Sequence, residues 1–164
     1  MNSVHGILQA HLEVVKQKIT SAMAAHKRNA SGRSVASLNV QSQDFIGALW
    51  GSKSFWAMER GRKGGKVPYK FIDIIKQWIV DKGISVKPIP AKRASAKHSP
   101  YERGLNSFAG AVAYTIMKKG TKLHRDHGYN DIYTTAINEE LEAMAKEYIF
   151  ISKEQIGKIN DTIK

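Results

Sequence analysis

The sequence has no cysteine among its 164 residues and only four prolines. Without thiols the fold has neither disulfides nor thiolate zinc, and nothing ties it to an oxidising compartment. Long apolar runs are missing too, since no stretch approaches the roughly 18 residues that cross a bilayer. The N-terminal "MNSVHGILQAHLEVVK" carries no basic segment ahead of its apolar positions, so neither a signal peptide nor a membrane anchor is expected. Acidic residues are scarce, with 14 Asp/Glu against 26 Lys/Arg and a net charge of +12. The imbalance is local: residues 26–103 hold 16 Lys/Arg against 5 Asp/Glu, whereas residues 129–164 hold 4 against 7. A basic middle suits a polyanion or an acidic protein surface, and an acidic end lets like subunits meet through faces of opposite sign.

What is present is an ordinary globular composition, 42% apolar and 24% charged, which separates the chain from disordered proteins. The length fits one domain with a real core, expected over residues 1–150, with 151–164 as a C-terminal tail or short helix.

Periodicity supplies the elements. Val4, Ile7, Leu8, Leu12, Val15, Ile19 and Met23 recur at three- and four-residue steps, the stripe of an N-terminal helix. Ala36, Leu38 and Val40 alternate with polar neighbours as a half-buried strand does. "DFIGALWGSKSFWAM" then offers a second and a third strand of a small antiparallel meander, broken at Gly51 and Ser52. Pro68 is placed to open a core helix, with Phe71, Ile75 and Trp78 as anchors and Gly83 closing it. Residues 85–98 read as an exposed or mobile basic loop, and "SPYE" at 99–102 has the form of a capping box. The helix that follows is anchored by Phe108 and carries a narrow face of small residues. A last helix is expected in "TTAINEELEAMAKEY". The fold class is therefore α+β, with an N-terminal helix, a small antiparallel sheet and two to three packed helices bearing basic loops.

Candidate chemistry is sparse. "GRKGGKV" resembles a Walker A loop but is one residue short between Gly61 and Gly65-Lys66, and Val67 stands where the magnesium-binding hydroxyl belongs. His124 and His127 lack a third ligand in the sequence pattern, so no metal site is expected, and no cofactor. No nucleophile–base arrangement or spaced carboxylate pair stands out, which disfavours an enzyme. The cations remain: Arg60, Arg62, Lys63, Lys66 and Lys70 on a glycine-rich segment, and Lys87, Lys92, Arg93 and Lys97 on the following loop. Their chemistry suits phosphate-backbone contact without sequence readout, or contact with a neighbouring subunit.

The succession "ASGRSVASLNV", "ALWGSKSFWAMERGRKGGKVP", "FIDIIKQWIVDKGI", "FAGAVAYTIMKKGT" and "AINEELEAM" resembles the bacteriophage head-to-tail joining, or tail-completion, proteins of the neck. The resemblance covers roughly residues 28–148. Its marks are an E-x-G turn (Glu59, Gly61), Pro68, Trp78, a Lys-Gly helix end (Lys82, Gly83) and a Gly-Thr closure (Gly120, Thr121). The Gly-Gly-Lys turn and the basic 85–98 loop depart from the pattern. The resemblance implies a virion protein, assembled in host cytoplasm, that forms a ring of roughly six or twelve copies. Such a ring joins portal, adaptor or tail proteins and surrounds the passage of double-stranded DNA, as in the neck of a crAss-like short-tailed phage. The alternative from the residues themselves is a free basic nucleic-acid-binding module.

Overall fold

A computed structural model describes residues 4–43, 45–91 and 97–162. The chain is α+β. In order it forms α1 (Val4–Ala25), α2 (Arg33–Ala36), β1 (Asn39–Gln43), β2 (Ile46–Trp50), α3 (Ser54–Arg60), α4 (Phe71–Asp81), α5 (Pro100–Lys119), α6 (Lys122–Arg125) and α7 (Thr134–Thr162). Among the described residues no helix is long and apolar enough to cross a membrane.

Where the sequence reads as one domain with a tail, contacts gather the chain into two compact units. Unit 1 comprises residues 1–28, 34–55 and 131–164, and unit 2 comprises 29–33 and 56–130. The division arises because α7 returns to α1, leaving the segment between them to build a core of its own. α7 also runs unbroken through residue 150, where a tail was expected to begin.

In unit 1, the α1 residues Ile7, Val15, Ile19 and Met23 are buried along a four-residue ridge, as the periodicity requires. β1 and β2 form one antiparallel hairpin in which Val40 faces Leu49. α1 lies so close to this hairpin that a Cβ at Gly47 would stand 2.7 Å from Leu12 Cδ1. The expected third strand, in "SFWAM", is instead α3. A serine knot turns the chain there: Ser37 Oγ accepts from Ser52 N–H at 2.9 Å, and Ser52 Oγ accepts from Ser54 N–H at 3.3 Å. The same region corrects the first strand, since Ala36 ends α2 and Leu38 precedes β1.

His11 sits on the buried ridge of α1, midway between Ile7 and Val15, and so reaches α7. Its Nδ1 lies 2.8 Å from Glu140 Oε2 and its Nε2 lies 3.0 Å from Glu147 Oε2. Lys18 adds contacts of 2.9 and 2.8 Å to Glu139 and Glu140. Burial opposes the imidazolium more than any single influence favours it, yet the hydrogen bonds and charges of the two carboxylates together raise the His11 pKa above 6.5. Hydrogen bonds from Lys18 and then His11 hold the Glu140 carboxyl below 4.5.

The signs set a pH window. A raised His pKa stabilises fully below the unfolded value and is lost as pH rises through the folded one. A lowered Glu pKa stabilises above its unfolded value and is lost as pH falls through the folded one. Both contributions are complete between about pH 4.5 and 6.5, the ordinary values of the two groups. Thermal unfolding should thus be latest in that window, with a decline of about 2 to 4 °C on the alkaline side, the shift that goes with about 1 kcal/mol. Unfolding scans of His11→Gln should lose that alkaline decline. A wild-type slope in the variant would remove His11 as its source.

In unit 2, Ile75 and Ile79 of α4 pack on Ala109 and Ala113 of α5, two four-residue ridges meeting across small side chains. Leu105, Val112, Ile116 and Phe71 complete the cluster. Two expected anchors are not in it: Trp78 is 40% exposed and Phe108 is 42% exposed. Each neighbours a buried position on its helix, beside Ile79 and Ala109 respectively, and the 100° step between consecutive residues turns it out of the core. Ile75 is buried and Phe71 half-buried, as expected.

The helix ends follow their local chemistry. Gly83, at φ 63, accepts the left-handed turn after α4, with Gly83 N–H donating to Val80 O and Ile84 N–H to Ile79 O. Ser99, Pro100 and Glu102 form the anticipated capping box of α5, and the Ser99 N–H bond holds the Glu102 carboxyl below its usual range. Pro68 is corrected: α4 starts three residues later, at Phe71, after the left-handed Lys70.

Candidate interface of the basic unit

Unit 2 carries the whole net charge of the protein. It holds 17 of the 26 Lys/Arg and 5 of the 14 Asp/Glu, which leaves 9 of each for unit 1. The segment that supplies the first group of candidate cations begins at the end of α3. Glu59 there is fully buried; Tyr129 Oη donates to its carboxylate at 3.0 Å, and Asn130 N–H donates to its backbone oxygen at 2.9 Å. Asn130 Nδ2 donates to Met58 O at 3.0 Å. This pins residues 129–130 to α3.

Two residues on, the chain is clasped to the end of α5. Arg62 N–H donates to Thr121 Oγ1 at 2.8 Å, Thr121 N–H donates back to Arg62 O at 2.9 Å, and Gly65 N–H donates to Met117 O at 2.7 Å. The glycines make this approach possible. A Cβ at Gly61 would stand 2.5 Å from His124 N, one at Gly64 would stand 2.7 Å from Lys118 O, and one at Gly120 would stand 2.5 Å from Arg62 O. The sequence suggests a glycine-softened tip; the structure has a backbone lock. The Arg62 guanidinium is engaged as well, donating to Lys66 O and lying 5.3 Å from the Phe71 ring centroid. Arg60, Lys63, Lys66 and Lys70 are exposed around the lock, and Lys70 Nζ lies 5.6 Å from the Tyr69 ring centroid.

The second group lies at the other end of α5. Gly104 leaves room for the backbone carbonyl of Lys87, Ile89 N–H donates to Pro100 O at 2.9 Å, and Arg103 Nε donates to Ile89 O at 2.9 Å. The stretch expected to be a mobile loop is therefore docked at residues 87–89. Lys87 and Lys97 are exposed, and Lys92 and Arg93 lie outside the described residues. From Gly104 to Gly120 α5 rises about 24 Å, so it carries two cationic patches at separate ends, not one cluster.

The docking role of Gly61, Gly64, Gly104 and Gly120 escaped sequence reasoning, because glycine at a close approach and glycine in a flexible turn look alike in one sequence. Tyr129 and Asn130 were missed for a different reason: they meet Glu59 only through the fold. Among the described residues no three His, Asp or Glu side chains converge as metal ligands. His124 serves the N-terminus of α6, where Thr121 Oγ1 accepts from its backbone N–H.

No protein-family model matches the chain, and neither the curated proteins nor the solved structures yield a match.

Proposed function

We propose that the chain is a structural protein of a bacteriophage neck, forming a ring between portal and tail around the DNA passage. The observation that carries this reading is the lock. The E-x-G turn and the Gly-Thr closure, read in the sequence as separate marks of the resemblance, are spatial partners: Gly61 and Arg62 meet Gly120 and Thr121 backbone to backbone. Residues that depend on one another in this way form a single architectural signature. The role is structural and not catalytic, and the exposed cations of unit 2 contact DNA phosphates or an adjoining ring through charge, without base readout.

Charge segregation favours a second reading, a free nucleic-acid-binding module, because +12 concentrated in one unit is a strong electrostatic footprint. The two differ in where the protein is found and how it binds. Mass spectrometry of purified virions, followed by a density map of the neck, should find the chain in the particle. Lys63→Glu with Lys66→Glu should fold normally yet be lost from virions. Absence of the wild-type chain from virions, together with tight DNA binding whose affinity falls steeply with salt, would replace the neck by the free binder.

A further inference from the structure

Unit 2 has an open groove of about 620 Å³ between α4 and α5. Phe71, Ala113 and Met117 line it together with Ile72 and Tyr114, and Lys70 and Lys76 stand among its lining residues. Gly110 keeps part of it empty, since a Cβ built there meets nothing within 4 Å. Ile72 and Tyr114 are 46% and 60% exposed, more apolar surface than an isolated core helix leaves without a partner.

α7 presents a matching feature. One face carries Glu140 and Glu147 to α1. Roughly a third of a turn away, Leu141, Ala145, Ile149 and Ile156 recur at four- and seven-residue steps as a second apolar stripe. Leu141, Ile149 and Ile156 are each more than half exposed.

We infer that the α4–α5 groove of one copy receives the Leu141–Ile149 stripe of α7 from a second copy of the chain. Charge argues for this occupant. Residues 134–162 hold 6 Asp/Glu and 3 Lys/Arg, whereas unit 2 holds 17 Lys/Arg and 5 Asp/Glu. Glu142 stands beside Leu141 on the donor helix, and Lys70 and Lys76 stand at the acceptor groove. Length agrees as well: α4 is about 16 Å long and the rise from Leu141 to Ile149 is about 12 Å, so both anchors fit along one groove. An amphipathic helix laid in a groove is read by anchors at this spacing. Because groove and stripe are different surfaces, the contact is head-to-tail, and its repetition closes into a ring when the rotation permits. The inference deepens the neck reading and rests on it for that closure.

The absence of cysteine makes a clean test possible. Ile72→Cys and Ile149→Cys both alter exposed positions. Treated with a short bismaleimide over a concentration series, the mixture of the two full-length variants should give cross-linked dimers, and each variant alone should give none. Adding Leu141→Asp to the Ile149→Cys chain should reduce the mixed product at least tenfold, with the circular dichroism spectrum unchanged. Cross-linking of either variant alone, no product from the mixture at the highest concentration, or a mixed product indifferent to Leu141→Asp would each overturn the inference. Virion composition is read separately. A mixed cross-link in a chain absent from virions sustains this contact and removes the neck, whereas a chain present in virions without the cross-link keeps the neck and removes this contact.

Discussion

Gly120→Ala is expected to cost about 3 to 5 kcal/mol, enough to unfold unit 2 at moderate temperature. Two effects act together. Gly120 stands at φ 81 and ψ −179, a region that is nearly closed to any residue with a side chain and costs about 1 to 3 kcal/mol to occupy. The added methyl would also stand 2.5 Å from Arg62 O and 2.9 Å from Gly64 N, which are backbone atoms that cannot rotate away. Relief requires the lock to open, and with it the bonds between Arg62 and Thr121. Gly61→Ala should behave alike, at φ 75 and 2.5 Å from His124 N.

Gly110→Ala is the control. That glycine lies within α5 with open space around it, so the same chemical change should stabilise by about 0.5 to 1 kcal/mol. Denaturant titration of the three variants reads opposite signs if the lock is as described. Equal and small effects at Gly120 and Gly110 would return the 61–66 segment to the status of a flexible turn.

The contrast explains how much of the molecule was legible in the sequence. Features governed by neighbours within about five residues were readable: the ridge of α1, the capping box at Ser99 and the left-handed stop at Gly83 each depend on local geometry. Features governed by distant chain were not. Whether "SFWAM" continues a sheet or starts a helix depends on Ser37 meeting Ser52, and whether "GRKGG" is a soft tip or a lock depends on α5 arriving beside it. The candidate site shared this fate. Its cations were plain in the composition, but their division between the two ends of α5, and the commitment of Arg62 to Lys66 O and Phe71, are tertiary facts.

The core of unit 2 offers the second large effect, and with it a decision between two phases of α4. Ile79 is fully buried among Ile75, Ala109 and Ala113, so Ile79→Ala should cost about 3 to 5 kcal/mol, through lost transfer energy and a cavity that two rigid helices cannot collapse. Trp78, although larger and of the residue type most costly to delete from a core, is 40% exposed, and Trp78→Ala should cost about 1 kcal/mol. Thermal or urea unfolding of the pair reads helix phase directly, because adjacent residues on a helix differ by 100°. A larger loss at Trp78 than at Ile79 would rotate the buried face of α4 by about that angle. Ile72 and Phe71 would then no longer stand beside Ala113 and Tyr114, and the groove proposed to receive α7 would not exist.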